Sequence, residues 1–366
     1  MNDTFSVDVN VTTSCNLKCD YCFVGGKAES FKDVSKISSF LNRLIQSKLF
    51  LENYKMLSVN FWGGEPTLDT DFIKGVIESL EGIGSIRFFI YSNGVNIKKI
   101  EDLLLKYRDI KVGNHSKLVI QISYDGEPIH SKFRGETEAV WTTLHWLDLN
   151  NVPFTIKSTM PYDGFKYMYD AYLDIKKLIS EFRWSGIKIN YFPTIEHYNH
   201  LSEDMPIDKR LIQKYEEDLK YSLVKIAKKE LEDKTNIFKW FTNSRAMCTA
   251  GKDLITIDCD GGVYPCHGCL YEDKKNHGFG NIEDPEIMDK ILAFRQLFSD
   301  ALERGMCKDC GVSFCLRCNH AKFVYSKKEY YFDKWLDGDS QKDLCRFYNI
   351  NNRVKTAFEE IKRRTL

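Results

Sequence analysis

The sequence lacks the features that would indicate nucleic acid, membrane or export. Its formal net charge is zero, with 52 Lys and Arg residues against 52 Asp and Glu residues, so the composition points to no polyanionic partner. No apolar run approaches the roughly 20 residues of a transmembrane helix. The start, MNDTFSVDVN, has neither the basic nor the apolar region of a signal peptide. We therefore expect a cytoplasmic protein that binds neither nucleic acid nor membrane.

Cysteine is absent from residues 23–247, and this gap makes the remaining cysteines informative. Of the 12 Cys residues, three lie before the gap and nine follow it. A chain of 366 residues can bury a sizeable core and does not need disulfides to fold. Thiols at CxxC spacing in a chain without an export signal therefore indicate metal. The same distribution divides the chain at about residue 245.

Short apolar runs alternate with amphipathic stretches through the first half of the chain, which predicts parallel βαβ units of an α/β fold. The predicted strands are Phe5–Val11, Leu57–Phe61, Ile86–Tyr91, Leu118–Ser123, Phe154–Ser158 and Ile187–Phe192. The predicted helices lie near 34–50, 70–81, 97–107, 136–150, 166–184 and 206–234. Six such units suit an open, partial (β/α)6 barrel with its active site at the carboxyl ends of the strands.

Three cysteines follow the first predicted strand in the sequence TTSCNLKCDYCF. Cys15, Cys19 and Cys22 supply one ligand fewer than the four that a closed metal site uses. Two interpretations are open from these residues alone. The loop binds zinc with a distant fourth ligand, or it binds an iron–sulfur cluster whose fourth iron is left for another molecule.

The CxxxCxxC spacing, with Tyr21 before the last Cys, resembles the signature of the radical SAM superfamily. The resemblance implies that the three thiolates hold a [4Fe–4S] cluster and that its open iron binds S-adenosylmethionine (SAM). It also implies that an electron from the cluster cleaves SAM to a 5′-deoxyadenosyl radical. The position left open by three cysteines would then be the cofactor site.

Two further motifs follow the second and third predicted strands and resemble SAM-binding segments of the same superfamily. FWGGEPT matches its GGEP motif with the residues Gly63, Gly64, Glu65 and Pro66. Glycine permits close backbone approach, and the resemblance implies that Glu65 accepts a hydrogen bond from the SAM ammonium group. YSNG supplies Ser92 and Asn93, which the resemblance places against SAM. A simple turn and a capped helix start are the structural alternatives.

The segment SYDGEPIHSKFRG follows the fourth predicted strand and is similar to the superfamily's S-x-DG…H…R segment. The resemblance implies that Ser123 and Asp125 face the SAM ribose. It further implies that Arg134 pairs with the SAM carboxylate, although an ordinary surface Arg is the alternative. Four motifs in this order, each directly after a predicted strand, favour radical SAM chemistry together more strongly than any one of them does.

The C-terminal cysteines resemble a SPASM domain. Their pattern reads Cys248-x12-Gly261-x4-Cys266, then Cys307-x2-Cys310-x4-Cys315-x2-Cys318, then Cys345. Two gaps in the second group are each one residue shorter than in the family pattern. The resemblance implies two auxiliary [4Fe–4S] clusters, which makes three with the SAM-binding cluster. A pair of zinc sites is the alternative from the residues alone.

By the same resemblance, one auxiliary cluster is held by Cys307, Cys310, Cys315 and Cys345. The other is held by Cys248, Cys266 and Cys318, so that it lacks one ligand. TIDCDGGVYPC predicts a hairpin that turns at Asp260-Gly261, which places Cys259 and Cys266 roughly 13 Å apart along the strands. Cys269 lies three residues beyond Cys266. We therefore predict Cys269 as the missing ligand and Cys259 as a structural thiol, with an open iron as the alternative.

These assignments predict four parts of the chain. They are a radical SAM barrel over 1–195, a helical connector over 196–245, a SPASM domain over 246–349 and a C-terminal helix over 350–366. Because the first strand begins at Phe5, we expect no separate N-terminal domain for binding a leader peptide. Such binding, if required, would depend on another protein or on the barrel mouth.

Relatives with this pair of domains act mostly on peptides and proteins. The resemblance implies hydrogen abstraction from a peptide or protein residue, leading to a thioether or carbon–carbon crosslink. It also implies a peptide or protein substrate and a reducing partner such as flavodoxin or ferredoxin. The alternatives are oxidation of Cys or Ser to formylglycine, dehydrogenation or epimerisation of a small molecule, and electron transfer without catalysis.

One residue departs from the pattern of the anaerobic sulfatase-maturating enzymes, which the length and layout resemble. Those enzymes carry an Asp, thought to act as base, directly after the second SPASM Cys. Here that place holds His267. A His could act as a base near neutral pH or donate a hydrogen bond beside the cluster.

Overall fold

The computed structural model describes residues 3–22, 24, 28–182, 189–193, 209–235, 237, 239–240, 249–270 and 278–303. Within them the strands, numbered β1 to β12 in chain order, are Thr4–Thr12, Met56–Gly63, Ile86–Ser92, Lys111–Val112, His115–Ser116, Leu118–Ser123, Phe154–Met160, Ile189–Pro193, Lys239–Trp240, Leu254–Ile257, Gly262–Tyr264 and Gly280–Asn281. The α-helices, numbered α1 to α9, are Val34–Gln46, Lys48–Leu51, Thr70–Ser79, Glu101–Tyr107, Glu127–Phe133, Thr137–Leu149, Met168–Glu181, Lys209–Glu232 and Ile287–Glu303. Short 3-10 helices occupy Pro66–Leu68, Ile97–Ile100, Tyr162–Tyr167 and His267–Leu270.

Ten of these strands form one sheet in the order β12-β11-β10-β1-β2-β3-β6-β7-β8-β9. All neighbours from β10 to β9 run parallel. The six predicted strands correspond to β1, β2, β3, β6, β7 and β8, and each end lies within two residues of its predicted position. The α/β prediction and the parallel order of these six strands are therefore confirmed.

Alternation along the strands separates an apolar face from a polar one. In β1 the side chains of Phe5, Val7, Val9 and Val11 are fully buried in the main hydrophobic core. Asp8 lies between two of them on the opposite face. Strands β3, β6 and β7 show the same alternation of buried and half-buried residues. Because successive side chains point to opposite faces, the core lies between sheet and helices while polar groups occupy the other face.

The sheet curves strongly. A flat sheet would separate β1 from β7 by about 19 Å, since neighbouring strands lie about 4.8 Å apart. Yet the charges of Asp8 on β1 and Lys157 on β7 act on each other's pKa. The Tyr21 hydroxyl, which follows β1, donates a hydrogen bond to Asp125 at the end of β6. The polar face is therefore the inside of an open barrel, called the lumen below.

The predicted hairpin at Asp260-Gly261 is confirmed by the antiparallel pairing of β10 with β11, but its position in the fold was not predicted. Strand β10 lies parallel to β1, with Val7 opposite Ile255. Asn10 Nδ2 also donates a 2.8 Å hydrogen bond to Asp258 Oδ1. The hairpin thus extends the barrel sheet, and the domain boundary near residue 245 stays a prediction.

The helices differ from the predicted ones mainly at their ends. The predicted helix 34–50 is two helices, because the Ser47 hydroxyl caps α2 by accepting from the Phe50 N–H. Helices α5 and α9 were not predicted. The predicted C-terminal helix 350–366 lies outside the described residues. In the described part of the chain, no helix has the length and apolarity of a membrane span.

The link between the hairpin and β1 can be tested with Asp258→Ala. The change leaves the fully buried Asn10 amide without its acceptor, so we expect the free energy of unfolding to fall by about 1–3 kcal/mol. Chemical denaturation of the anaerobically purified protein would measure the loss. Glu283→Ala, which removes an exposed ion pair with Lys36, is the control and should change stability by less than about 0.5 kcal/mol. Equal effects of the two variants would contradict a stabilising role for the link.

Candidate active site

The segments that follow β1, β2, β3 and β6 lie together at the carboxyl edge of the sheet. Ligands of open parallel sheets bind at this edge, and all four predicted motifs occupy it. The segment after β1 carries the three-cysteine loop. The segments after β2, β3 and β6 carry GGEP, YSNG and SYDG.

The thiols of the three-cysteine loop are accessible to a ligand. Cys15 and Cys22 are exposed and Cys19 is half-buried. Burial raises the pKa of Cys19 to about 11, although the Arg134 charge opposes the shift. Burial also raises the pKa of Cys15. The thiolate forms that bind metal are therefore disfavoured in the loop by itself, and a cationic centre would supply the missing stabilisation.

Two glycines bring GGEP against the three-cysteine loop. The Gly64 N–H donates to the Thr12 carbonyl at 2.7 Å, and the Glu65 N–H donates to the Ser14 carbonyl at 2.8 Å. A Cβ on Gly64 would overlap the Ser14 carbonyl oxygen, and one on Gly63 would overlap that of Thr12. Gly63 also has a φ of 145°, which side chains rarely permit. The glycines are therefore required by the approach of the loop itself.

The Glu65 carboxylate is fully buried and joins three segments. Its Oε1 accepts hydrogen bonds from the Thr67 backbone N–H, the Thr67 hydroxyl and the Ser92 hydroxyl at 3.1, 2.6 and 2.9 Å. Its Oε2 accepts one from the Asn93 N–H at 2.7 Å. The Asn93 side chain in turn donates to Asn16 Oδ1 at 2.7 Å, inside the three-cysteine loop. Each carboxylate oxygen has about two acceptor positions, and Oε2 uses one of them here, so it retains capacity for one more donor.

A second buried carboxylate, Asp125, lies on the other side of the loop. Its Oδ2 accepts from the Tyr21 hydroxyl at 2.5 Å and from Arg134 Nε at 3.2 Å. Its Oδ1 accepts from the Thr159 N–H at 2.6 Å. The His130 ring accepts from the Asp125 N–H at 3.4 Å, and burial lowers the pKa of His130 to about 4. Asp125 thus holds Tyr21 and Arg134 in place, and its predicted contact with ribose stays a prediction.

Arg134 is not an ordinary surface residue, because only 10% of its side chain is exposed. Its guanidinium lies 5.4 Å from the centre of the Tyr21 ring. Among the described residues, its hydrogen bond comes from Nε. The two terminal nitrogens therefore remain available to a ligand. This arrangement fits a carboxylate ligand such as that of SAM. Ser123, at the end of β6, is half-buried and lies opposite Lys157 in the sheet.

The CxxC segment beyond the hairpin reaches the same edge of the sheet. The Sγ atoms of Cys266 and Cys269 lie 3.7 Å apart. Trp62, the residue before Gly63, packs in one buried cluster with Cys269. The exposed His267 ring lies 5.3 Å from the Trp62 ring. A second pair of thiols therefore lies beside the strand that leads into GGEP.

The structure separates the two thiols between which the sequence left a choice. Cys259 Sγ is 3.3 Å from the Asn10 carbonyl oxygen and 3.8 Å from that of Glu29, whereas Cys269 accompanies Cys266. This placement supports Cys269 as the ligand, although ligation itself stays a prediction. Six other predicted ligands lie outside the described residues: Cys248, Cys307, Cys310, Cys315, Cys318 and Cys345.

The arrangement of the described thiols is compatible with iron–sulfur clusters. Among the described residues, no three Cys, His, Asp or Glu side chains converge as ligands of one metal ion would. A four-iron cluster binds each thiolate at a different iron and therefore accepts wider spacing. Sequence reasoning did not assign roles to Asn16, Thr67 or His130. The contact of Asn16 joins residues 77 positions apart and carries no local signal. Thr67 and His130 contact Glu65 and Asp125 within the same segments, so the signal for them was local and was missed.

Comparison with known families agrees with the site. The model of the radical SAM superfamily matches residues 9–155. The model of the iron–sulfur cluster-binding SPASM domain matches residues 248–311. The two matches include the three-cysteine loop, GGEP, YSNG and SYDG in one domain and the CxxC segment in the other.

Relatives and solved structures extend the similarity over most of the chain. A cysteine-type anaerobic sulfatase-maturating enzyme from Clostridium novyi (strain NT) is 23% identical over 327 residues, covering 82% of this chain and 83% of the relative. Native anSMEcpe with bound AdoMet and Cp18Cys peptide has a TM-score of 0.66 at 18% identity, covering 97% of this chain and 99% of that one. Streptococcus suis SuiB bound to precursor peptide SuiA has a TM-score of 0.62 at 13% identity, covering 93% and 76%. At these identities the two structures show a shared fold.

The close contact at Gly64 predicts a local defect in the variant Gly64→Ala. The added methyl must displace Ser14 and with it the three-cysteine loop, at a cost of roughly 1–3 kcal/mol in stability. We expect the reconstituted variant to bind less iron than the unmodified protein. Gly82→Ala is the matched control, because a Cβ there meets nothing within 4 Å. Unchanged iron in Gly64→Ala would show that this contact does not position the loop.

Proposed function

Because this chain is a radical SAM protein with a SPASM domain, we propose that it abstracts hydrogen from a residue of a peptide or protein. The product would be an oxidative modification, a thioether or carbon–carbon crosslink. The observation that carries the proposal is the position of Cys266 and Cys269 beside Trp62, at the edge that also holds the three-cysteine loop. Two groups of iron–sulfur ligands at one edge favour a reaction in which the substrate loses electrons.

The residues of the site fit the two cofactors in stated roles. Cys15, Cys19 and Cys22 would hold a [4Fe–4S] cluster, and cluster and SAM together would supply a 5′-deoxyadenosyl radical. Glu65 Oε2 would accept a hydrogen bond from the SAM ammonium group, and the terminal nitrogens of Arg134 would bind its carboxylate. Both residues are fixed before the ligand arrives, Glu65 by Ser92 and Asn93 and Arg134 by Asp125. Such preorganisation lowers the ordering cost of binding.

Two considerations support a peptide or protein as the substrate. The solved structures of similar fold include one protein with a bound Cys peptide and one with a bound precursor peptide. The balanced charge of the chain gives no competing indication of nucleic acid.

The exposure of Cys15 and Cys22 would let a reducing protein, flavodoxin or ferredoxin, approach the cluster. The six cysteines of the described residues form no disulfide, which agrees with the proposed cytoplasmic location.

Oxidation of a Cys or Ser side chain to formylglycine is the second candidate. The similarity to a cysteine-type sulfatase-maturating enzyme over 82% of the chain favours it. His267 would serve as the base in this reaction. Its ring is exposed beside Trp62, and it is therefore accessible to a proton from a bound substrate.

Mass spectrometry of peptides can distinguish these reactions. We would incubate anaerobically reconstituted protein with SAM, dithionite and synthetic Cys-containing peptides, including short reading frames encoded beside the gene. A crosslink removes a pair of hydrogen atoms and retains the sulfur, whereas formylglycine formation from Cys loses the sulfur. Formation of 5′-deoxyadenosine without change in any peptide would favour a small-molecule substrate and contradict the proposal.

Iron analysis tests the auxiliary cluster through a matched pair of cysteine variants. The unmodified protein should bind about twelve irons in three four-iron clusters, and Cys269→Ala should lose about four of them. Cys259→Ala should retain the full content, because its sulfur lies against the backbone carbonyl oxygens of Asn10 and Glu29. The reverse pattern would make Cys259 the ligand. Zinc in place of the missing iron would remove the auxiliary cluster from the proposed reaction.

A further inference from the structure

The barrel lumen contains an acidic residue that no part of the proposed reaction uses. Asp8 lies in the middle of β1, on the face opposite Val7 and Val9, and is 7% exposed. Its Oδ1 accepts a 2.7 Å hydrogen bond from Asn60 Nδ2 on β2. The Asn60 amide is itself fixed, because its Oδ1 accepts from the Ser58 hydroxyl at 2.9 Å. One oxygen of Asp8 is therefore held by an ordered pair of polar side chains.

The second oxygen of Asp8, Oδ2, has no comparable contact. Among the described residues, no hydrogen-bond donor contacts it and no cation lies within 4 Å of it. Oδ2 is also not among the described polar atoms that are fully buried and lack a partner, so it is exposed to the lumen and retains capacity to accept a hydrogen bond. The groups that face Asp8 across the lumen are Tyr91 from β3 and Lys157 from β7. Beyond Lys157 lies the Asp125–Arg134 pair.

The surroundings of Asp8 do not favour its charged form. Burial raises its pKa to about 6, although the Asn60 hydrogen bond and the Lys157 charge oppose the shift. A carboxylate with a raised pKa destabilises the folded protein once it ionises. A side chain whose charge costs stability and whose second oxygen is open to the lumen is typical of a functional position.

The position of Asp8 connects the lumen with both groups of cysteines. Tyr91, which faces Asp8, packs against the cluster of Trp62 and Cys269. On the other side of Asp8, the pKa of Lys157 is affected by the charges of Arg134 and Asp125, which lie beside the three-cysteine loop. A molecule that enters from the carboxyl edge therefore meets the cysteine-bearing segments first and the Asp8 carboxylate below them.

We propose that Asp8 is a substrate-binding residue whose Oδ2 accepts a hydrogen bond from an N–H group of the peptide in the lumen. This inference rests on the proposed peptide substrate and adds a specificity determinant to it. A carboxylate forms stronger hydrogen bonds than a neutral acceptor does. The Asn60 contact keeps the acceptor oriented, so that little ordering is left to occur on binding.

The variant Asp8→Asn tests the proposal with little risk to the fold. An Asn side chain can keep the hydrogen bond from Asn60, but it presents an NH2 group where Oδ2 would accept. We expect the KM for a peptide that the unmodified enzyme converts to rise about 10- to 100-fold, with iron content unchanged. Asp253→Asn is the control, because this buried carboxylate accepts from Tyr54 outside the lumen. The control should leave KM unchanged.

A pH series of melting temperatures adds a readout that does not need the substrate. Because the raised pKa means that folded protein binds the Asp8 proton more tightly, its stability should fall as pH rises through about 6. Asp8→Asn lacks this loss, so its melting temperature should exceed that of the unmodified holoenzyme at pH 8 and approach it only below about pH 4, the ordinary pKa of an Asp side chain.

Accessibility can be measured by labelling the holoenzyme at pH 6 with a water-soluble carbodiimide and glycine ethyl ester. We expect label on Asp8 that is lost in Asp8→Asn. An unlabelled Asp8, or an unchanged KM in Asp8→Asn while the unmodified enzyme converts the peptide, would overturn the inference. Failure of the unmodified enzyme to convert any peptide would instead overturn the proposed function, so the two failures are distinguishable.

Discussion

The buried carboxylate of Glu65 is the interaction on which the site depends. A charge in the protein interior must be compensated by hydrogen bonds, and Glu65 obtains four of them from Thr67, Ser92 and Asn93. These donors belong to the segments after β2 and β3, and Asn93 extends the network into the three-cysteine loop. The need to satisfy one carboxylate therefore fixes the relative positions of three segments whose residues are otherwise far apart in the chain.

Asp125 performs the same task on the opposite side of the loop. Together the two carboxylates hold the three-cysteine loop between them, with Cys15 near Asn93 and Tyr21 bonded to Asp125. The loop is thus ordered by the protein, while the raised pKa of Cys19 leaves the thiolate form to be stabilised by a cationic centre. A rigid loop with protonated thiols is well suited to receive a cluster, because binding then needs proton release and little rearrangement.

The sequence was sufficient for features that depend on local pattern. Short apolar runs between amphipathic stretches located the six barrel strands, and the position of the motifs directly after these strands predicted Glu65, Asn93 and Arg134 at one edge. Features that depend on distant partners were not predictable. Nothing in the four residues of β10 indicates that β1 is their neighbour, and the bond from Tyr21 to Asp125 joins residues 104 positions apart. The proposed role of Asp8 was not predicted, because a single acidic residue in a strand belongs to no motif. Its surroundings depend on the curvature that brings β7 toward β1.

The central claim is that the three-cysteine loop holds an iron–sulfur cluster with one iron open to SAM. Electron paramagnetic resonance of the dithionite-reduced, reconstituted protein tests it most directly, because a ligand on an iron changes the spectrum of that cluster. We predict a reduced-cluster signal that changes on addition of SAM, and that loses the SAM-dependent change when Cys15, Cys19 and Cys22 are replaced by Ala. A signal indifferent to SAM, or a SAM response that survives loss of the three cysteines, would contradict the assignment.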